Sequence, residues 1–221
     1  LAGMNDEGIK SAKRHLLEVF DEAETLTTKR HGRVWRARGV KAGVRGEIEQ
    51  WIEAVEPVEQ RPWVTLPGAF AKGGVDQGTE FLLASLPGFA GERVLDFGAG
   101  TGVVAAHLLD KGKAKSVVML EADALAGLAA TRNVPEAELV LSDGWARLDK
   151  TSRFDGIVSN PPIHKGKDED FSVLKALIQE APKYWRQGGS LVLVVQRQVP
   201  VMQLVDKWPA EVLAANNRFW V

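Results

Sequence analysis

The chain has 221 residues, of which 45% are hydrophobic and 26% charged, and its formal net charge is −1. These values are typical of a soluble globular protein, and the absence of cysteine leads us to expect the cytoplasm, with an organelle as the alternative. The balanced charge argues against a protein that coats nucleic acid, but it is compatible with a local basic patch. The absence of cysteine excludes disulfides and Cys-ligated metal sites. No stretch reaches the roughly 18 consecutive apolar residues of a membrane helix, so we expect no membrane partner.

The N-terminal part, residues 1–61, is predicted to be a helical and basic extension. Apolar residues recur at helical spacing over residues 5–28, with Asn5 or Asp6 as the helix cap. Residues 25–45 then carry a run of basic side chains, and no acidic residue stands between Glu24 and Glu47.

The basic run contains candidate RNA-contacting residues. Arg33, Arg36 and Arg38 are spaced through it, and Trp35 stands between the first two. Basic side chains beside an aromatic ring are typical of phosphate contacts combined with base stacking. The alternative is a solvated connector in which the tryptophan anchors the segment on the core, and the sequence leaves both interpretations open.

A proline-rich segment leads into the second predicted domain, residues 62–221. A short helix is predicted over residues 47–55, and another over residues 79–86. Between them the chain is expected to be extended, because proline cannot stand in a regular central strand. The prolines concerned are Pro57, Pro62 and Pro67.

From residue 93 onward, short apolar runs alternate with helical patterns. The first run opens the glycine-rich stretch described below, and later strands are predicted over residues 116–120, 138–141, 154–159 and 190–196. Helices are predicted over residues 103–109, 122–133, 171–185 and 201–208, and two short strands are expected to close the chain within residues 212–221. This alternation predicts a doubly wound, mostly parallel α/β sheet of the Rossmann-like kind.

The stretch RVLDFGAGTG, residues 93–102, predicts a strand, a tight glycine-rich turn and a helix whose N-terminus faces the turn. The dinucleotide fingerprint G-x-G-x-x-G fails here, because Val103 stands at its third glycine position. The pattern D-x-G-x-G-x-G instead resembles the first motif of class I S-adenosylmethionine (SAM) dependent methyltransferases. It makes Asp96, Gly98, Ala99 and Gly100 candidate cofactor-binding residues, the alternative being an ordinary tight turn without a ligand.

Two further strand ends carry acids suited to the rest of such a cofactor. Glu121 ends the second strand, where a carboxylate accepts hydrogen bonds from both ribose hydroxyls. Asp143, followed by Gly144, ends the third, where it accepts from an adenine amine or merely forms an Asx turn. Trp145 then packs either on the adenine or in the core.

The fourth strand ends in Asn160-Pro161-Pro162-Ile163. The Asn160 amide oxygen and the Pro161 carbonyl can hold the two N–H groups of an exocyclic amine, which aims the nitrogen lone pair at a methyl group. Because the sulfonium of SAM is already a good leaving group, such an enzyme mainly supplies alignment and a preorganised pair of acceptors. A purely structural turn is the alternative.

Three segments, LPGAFAKGGVDQGTEFLLASLP, VLDFGAGTG and SNPPIHKG, in that order and spacing, resemble the small-subunit ribosomal RNA guanine-N2 methyltransferases of the RsmC-like type, which share a "methyltransferase small" domain. The resemblance covers residues 62–221. It implies the seven-stranded class I fold, SAM as cofactor, and methylation of a guanine amine in ribosomal RNA, with that RNA or the small ribosomal subunit as partner.

By matching position the resemblance assigns Asp96, Gly98 and Gly100 to the SAM loop, Glu121 to the ribose and Asp143 to the adenine. It places Asn160, Pro161 and Pro162 on the catalytic motif. Family members often carry an aromatic residue where this chain has Ile163, which offers only an apolar face to the base. We also expect Phe70, His164 and Lys165 to contact the base or a phosphate, although the last two also suit an exposed loop.

Two alternatives stay open. The same turn chemistry serves adenine N6 and the side-chain amide of protein glutamine, and a non-catalytic ribosome-assembly factor could keep the fold as an RNA-binding platform. His15, His31 and His107 have no metal-ligand spacing, so no metal is expected. The sequence does not indicate an oligomeric state.

Overall fold

The structure, a computed structural model, describes residues 1–5, 8–44, 46–89, 93–165, 168–169, 171–205 and 207–221. It divides the chain into two compact units, Leu1–Gln50 and Trp51–Val221. This division precedes the boundary expected at residue 61, because a β-hairpin that begins in the predicted extension belongs to the second unit. Val58 and Trp63, one from each strand of that hairpin, lie in the second unit's main core.

The first unit is a three-stranded antiparallel sheet with one helix. Its elements are β1 (Ala2–Met4), α1 (Ala12–Val19), β2 (Phe20–Lys29) and β3 (Gly32–Val40), and the strand order is β1-β3-β2.

The long helix predicted over residues 5–28 is therefore wrong beyond Val19. Residues that follow it, Thr25, Thr27 and Thr28 among them, favour a strand, and β2 pairs with β3 from Phe20 to Lys29 with a register shift between Thr25 and Thr27. The helix α1 begins at Ala12, so the prediction is also wrong for the described residues before it, and Asn5 is not the cap. The other predicted cap, Asp6, lies outside the described residues.

The second unit contains the remaining helices and strands. Its elements up to the first two sheet strands are β4 (Glu53–Val58), β5 (Arg61–Thr65), α2 (Gln77–Ser85), β6 (Arg93–Phe97), α3 (Val103–Asp110) and β7 (Ser116–Glu121). There follow α4 (Ala124–Asn133), β8 (Glu138–Leu141), β9 (Phe154–Ser159), β10 (His164–Lys165), β11 (Asp168–Glu169) and α5 (Ser172–Glu180). The last are β12 (Trp185–Leu193), β13 (Val195–Gln196), α6 (Val201–Leu204) and β14 (Phe219–Trp220).

Five parallel strands form the central sheet, in the order β12-β9-β6-β7-β8. This confirms the doubly wound α/β fold, with five parallel strands rather than seven among the described residues. The chain runs from β6 outward to β8 and then returns to β9, so the strand order reverses between β6 and β9. In such sheets the crevice beyond the carboxyl ends at the reversal is the usual ligand site.

Apolar side chains cover both faces of the sheet. Along β6, Val94 points into one core cluster, and Leu95 points into the cluster on the other face. Met119 and Val118 of β7 divide in the same way. Burial on both faces explains why these strands are nearly continuous apolar runs in the sequence.

Several predicted elements differ at their ends. The helix predicted over residues 47–55 is a 3-10 turn, Ile48–Trp51, followed by β4. The helix predicted over residues 171–185 ends at Glu180, and a 3-10 turn that contains Pro182 separates it from β12.

The C-terminal elements also differ from the predicted ones in their bounds. Strand β12 begins earlier than residue 190, and its register shifts before Ser190, where two glycines stand. The helix predicted over residues 201–208 stops at Leu204, and one closing strand forms within residues 212–221 where two were expected. That strand, β14, pairs antiparallel with β13, which follows β12 after a single residue.

Candidate active site

The four strand ends that carry the predicted chemistry share one edge of the sheet. Strands β8, β7, β6 and β9 are consecutive neighbours, and all run in the same direction. Their carboxyl ends therefore bring Asp143, Glu121, the glycine-rich loop and Asn160 to the same side. These residues are up to 64 positions apart in the sequence, from Asp96 to Asn160, and the parallel topology places them at one edge of the sheet.

The glycine-rich loop is an open cradle. Gly98 and Gly100 have φ of 72° and 57°, and a side chain added at either would meet no atom within 4 Å. The positive φ favours glycine, and the empty space above both residues lets a ligand lie against the backbone. Gly102 differs, because its φ is 94° and an added Cβ would meet Val134 at 3.0 Å. Ala99 is buried, so it holds the loop on the core.

Asp96 lies beneath this cradle. Its side chain is 1% exposed, and its Oδ2 accepts a hydrogen bond from the backbone N–H of Ala105 in the first turn of α3 at 3.1 Å. Burial raises the pKa of Asp96 to about 7; the Ala105 N–H opposes the rise, and the charge of Glu121 adds to it. The structure thus gives Asp96 the task of fixing the start of α3 to the end of β6.

Glu121 binds the backbone of the glycine-rich loop. Its Oε2 accepts from the backbone N–H of Gly100 at 2.7 Å, and its Oε1 accepts from the N–H groups of Ala122 and Asp123, both at 2.8 Å. Asp123 is the N-cap of α4, where its side chain accepts from Leu125 and Ala126. The two acids therefore have separate tasks, and Glu121 is the one whose carboxylate reaches the loop.

Asp143 is exposed and makes no side-chain cap hydrogen bond to the 3-10 turn Gly144–Arg147 that it precedes. Ser142 stabilises that turn instead, since its hydroxyl donates to the Gly144 carbonyl and accepts from the Arg147 N–H. This removes the Asx-turn explanation for Asp143.

Trp145 belongs to the packing of the second unit. Its ring stacks on that of Tyr184, with 4.6 Å between the ring centroids, and its centroid lies 4.9 Å from that of Phe97. Its indole N–H donates to the Ala176 carbonyl at 3.3 Å. Of the two interpretations left open for this residue, the structure supports the core.

Asn160 is held by two residues of the α2 N-terminus. Its Nδ2 donates to Asp76 Oδ2 at 3.1 Å and to Thr79 Oγ1 at 2.9 Å. Asp76 is the N-cap of α2, where it accepts from the N–H of Gly78 and the hydroxyl of Thr79. With both protons of the amide nitrogen engaged, the side-chain oxygen is the arm of Asn160 that can accept from a substrate.

The helix predicted from residue 79 begins two residues earlier, at Gln77, so neither Asp76 nor Thr79 is predicted as a site residue from the sequence. The signal was present: an aspartate before the apolar pattern of a helix is a strong N-cap candidate, and Asp76 lies inside one of the three segments that carry the family resemblance. Gly78, in the same turn, lies beside Asn160, since a Cβ built there would be in ordinary van der Waals contact with Asn160 Nδ2, at 3.6 Å.

The residues after Asn160 divide between core and surface. Pro161 is buried and Pro162 is exposed. Ile163 is 7% exposed and packs with Leu174 and Ile178 of α5, so the expectation that it offers an apolar face to a base is wrong.

An exposed aromatic ring stands elsewhere in the unit. Phe70, in the 3-10 turn Phe70–Gly73, is 70% exposed and remains available for stacking. His164 and Lys165 form the short strand β10, which pairs with β11, and the contacts expected of their side chains stay predictions.

In the first unit, Trp35 is an anchor. It is 6% exposed, and its indole N–H donates to the Ile9 carbonyl at 2.9 Å. This excludes the base-stacking role in the present arrangement. Arg33 lies over the Trp35 ring, with 5.3 Å between the guanidinium carbon and the ring centroid.

The other two candidate RNA-contacting arginines, Arg36 and Arg38, lie opposite acids of β2. Arg36 Nε donates to Glu24 Oε1 at 2.8 Å, and Arg38 is paired in register with Glu22. Arg45, which ends the run, lies outside the described residues. The run therefore carries less free positive charge than its sequence indicates.

No group of three or more His, Cys, Asp or Glu side chains among the described residues is placed to hold a metal ion. Within the same residues, no helix is long and apolar enough to cross a membrane.

Comparison with known proteins identifies relatives of the whole chain. Residues 61–221 match the family model for the methyltransferase small domain. The ribosomal RNA small subunit methyltransferase C of Hahella chejuensis is 34% identical over 230 residues, covering 100% of this chain and 67% of that protein. The protein of the same name from Shewanella amazonensis is 30% identical with the same coverage. The chain thus spans about two thirds of the length of these curated relatives.

Solved structures show the same fold. A 16S rRNA N2 G1207 methyltransferase of T. thermophilus, in complex with AdoMet and guanosine, superposes with a TM-score of 0.79 at 24% identity, covering 100% of this chain and 62% of that one. The ribosomal protein L11 methylase of Lactobacillus delbrueckii subsp. bulgaricus gives a TM-score of 0.54 at 20% identity, covering 67% of this chain and 78% of that one.

Proposed function

The chain belongs to the methyltransferase small domain family, and from that premise we propose that it is a SAM-dependent N-methyltransferase that acts on an exocyclic amine of ribosomal RNA, at guanine N2 of the small subunit. The observation that carries the proposal is the fixed amide of Asn160. Its Nδ2 donates to Asp76 and Thr79, so its Oδ1 is already oriented to accept a hydrogen bond from the N–H of a substrate.

The residues at the sheet edge suit the cofactor. The space above Gly98 and Gly100 accommodates the methionyl end against bare backbone. Glu121 stands beside that loop with a carboxylate able to accept from ribose hydroxyls, and exposed Asp143 has a carboxylate able to accept from the adenine amine. When bound, SAM supplies an activated methyl group on a positively charged sulfur.

In the proposed reaction the chain aligns the acceptor nitrogen. Asn160 Oδ1 and the Pro161 carbonyl accept the two N–H groups of the amine, which directs the nitrogen lone pair away from both acceptors and toward the methyl group. Neither acceptor titrates near neutral pH, so the proton released from the amine passes to solvent or to a neighbouring base. Such preorganised acceptors and fixed geometry lower the barrier without a strong general base.

Phe70 is the proposed stacking partner of the base. The family position usually filled by an aromatic residue holds Ile163 here, and Ile163 is buried. Phe70 is the large hydrophobic residue with the highest exposed fraction among those described, at 70%. A ring in the segment that leads into α2, whose N-cap holds Asn160, is a suitable substitute.

Ribosomal RNA is proposed over protein glutamine because the relatives of the full chain are named for small-subunit ribosomal RNA. Guanine N2 is proposed over adenine N6 because the motif resemblance implies it and the T. thermophilus structure is named as an N2 G1207 methyltransferase. These relatives are longer than this chain. The substrate assignment therefore rests on the two thirds of their length that the chain matches.

The test is transfer of a labelled methyl group from SAM to three acceptors: small ribosomal subunits, free ribosomal RNA and a total protein extract. We expect label that nuclease releases and protease does not. Protease-sensitive label would overturn the assignment in favour of glutamine methylation. Binding of SAM without any transfer would instead support the non-catalytic assembly factor.

A further inference from the structure

Two arginines near the candidate active site face each other across a pair of strands. The backbone N–H of Arg197 donates to the Arg218 carbonyl at 2.9 Å, which continues the pairing of β13 with β14 by one position. Both residues are exposed. Side chains opposite each other in an antiparallel pair lie close together, and like charges there repel.

Each guanidinium is held over an aromatic ring of β14. The guanidinium carbon of Arg197 lies 5.4 Å from the centroid of Trp220, and that of Arg218 lies 5.5 Å from the centroid of Phe219. Cation–π contact of this kind orients a guanidinium but leaves its N–H edge free to bind an anion.

The hydrogen-bond partners of both guanidinium groups are neutral. Arg197 Nη1 donates to the Asn216 carbonyl at 2.7 Å, and Arg218 Nη1 donates to Gln77 Oε1. In the part of the chain that the structure describes, neither group forms an ion pair with a carboxylate. By contrast, Arg61, Arg93 and Arg186 of the same unit each do. Arg197 and Arg218 therefore carry two positive charges on the β13–β14 strand pair without local neutralisation.

The arginine pair is also connected to the residues that position Asn160. Gln77, the partner of Arg218, immediately follows Asp76, which binds the Asn160 amide. A Cβ added to Gly78 would lie 3.4 Å from the Phe219 ring and 3.6 Å from Asn160 Nδ2. The ring beneath Arg218 and the amide of Asn160 thus flank the same glycine.

We propose that Arg197 and Arg218 bind the phosphate backbone of the RNA strand on either side of the methylated base. This inference rests on the proposed function for its substrate, RNA. A planar guanidinium binds phosphate through two parallel N–H bonds, so each of these exposed arginines can bind one phosphate of the strand. The pair would hold the strand while Asn160 aligns the amine.

The test is equilibrium binding of a short, fluorescein-labelled single-stranded RNA as a function of salt concentration. We expect the double variant R197Q/R218Q to bind about tenfold more weakly at low salt and to lose about 0.7 to 1.4 from the slope of log K against log salt, because one or two phosphate contacts disappear. The variant R197K/R218K keeps the charge but loses the bidentate geometry, so we expect an intermediate affinity with most of the slope retained.

Arg153→Gln is the matched control, since Arg153 is exposed and precedes β9 at the opposite, amino end of the parallel strands. Unchanged RNA affinity and slope in R197Q/R218Q, or an equal loss in R153Q, would overturn the proposal. Far-ultraviolet circular dichroism and SAM affinity, both expected to be unchanged, show that the variant is folded. Because this readout is binding, a failure to observe methyl transfer would count against the proposed function and not against the phosphate contact.

Discussion

At the residue scale, the amide of Asn160 has its orientation imposed by neighbours. An unrestrained asparagine presents either its oxygen or its nitrogen to a ligand, and only the oxygen accepts from an amine. Asp76 and Thr79 remove that freedom, because both bind the nitrogen.

Replacing Thr79 with valine should slow methyl transfer while leaving SAM affinity within a few-fold. The change removes one acceptor of the Asn160 amide, and a hydrogen bond worth about 1 to 1.5 kcal/mol corresponds to roughly a tenfold fall in kcat. Thr79→Ser keeps the hydroxyl and should restore the rate. Single-turnover kinetics with ribosomal RNA provides the measurement.

Ser85→Ala is the control for that variant. Its hydroxyl donates to the Phe81 carbonyl at 2.7 Å within the same helix, so its loss tests the helix without touching Asn160. A T79V enzyme with the wild-type kcat would show that Thr79 does not orient Asn160.

Asp96 should make stability depend on pH in an unusual direction. Its pKa is raised to about 7 in the folded protein, from 3.8 as the ordinary value, chiefly by burial. The folded state therefore binds more protons than the unfolded chain between these values. The stability that this group contributes is present below pH 4 and declines as pH rises to about 7.

Asp96→Asn has no titrating group at this position and keeps an oxygen for the Ala105 N–H. Between pH 5 and pH 8, wild type should lose about 2 to 3 kcal/mol of unfolding free energy relative to D96N. Urea unfolding at the two pH values measures the difference. An identical pH dependence for both proteins would show that Asp96 is ionised in the native state at pH 5.

At the element scale, the β4–β5 hairpin is clamped onto the helices beside the glycine-rich loop. Asn133, at the end of α4 and 4% exposed, exchanges two hydrogen bonds with the backbone of Val64 and donates a third to the Thr101 carbonyl at 3.0 Å. Arg61 of the same hairpin forms ion pairs with Asp110 and Glu136.

Replacing Asn133 with alanine should lower the unfolding free energy by about 2 to 4 kcal/mol, because buried backbone groups of β5 and the loop lose their partners. Thr131→Ala is the matched control, since its hydroxyl bonds only within α4, to the Leu128 carbonyl at 2.9 Å. Thermal unfolding of both variants measures the effect. Equal stabilities would show that the hairpin is held by its apolar contacts and its ion pairs alone.

The elements near the site are those that the sequence predicts best. The glycine loop, Glu121 and Asn160 follow strands that are buried on both faces, and long apolar runs identify such strands without tertiary information. The N-terminal region shows the opposite case. Trp35 is anchored by the Ile9 carbonyl, and Glu24 of β2 pairs with Arg36 of β3 across the strands. Spacing along the chain does not reveal such partners.

The sequence also does not predict the burial or the partner of a residue when these are set by residues distant along the chain. Ile163 is an apolar residue in a turn motif, and only the packing of α5 shows that it belongs to the core. The charge of Arg36 is likewise apparent in the sequence, whereas its partner Glu24 is known only from the register of β2 and β3.

At the scale of the whole molecule, the chain combines one unit built for methyl transfer with a smaller unit in whose basic run Arg36 is ion-paired and Arg33 packs over Trp35. Free positive charge in the second unit is instead present at Arg197 and Arg218, in the part that carries the glycine loop and Asn160. The net charge of −1 therefore does not exclude a nucleic-acid substrate, because what matters is where the unpaired charges lie.

The most direct test of the central claim is the identity of the methylated nucleoside. Small subunits reconstituted with unmodified transcript RNA are incubated with SAM and either wild type or Asn160→Ala, and the RNA is digested to nucleosides for mass spectrometry. The account predicts N2-methylguanosine with wild type and none with N160A, while both proteins bind SAM with affinities within a few-fold. N6-methyladenosine as the product, or N2-methylguanosine formed at the wild-type rate by N160A, would contradict it.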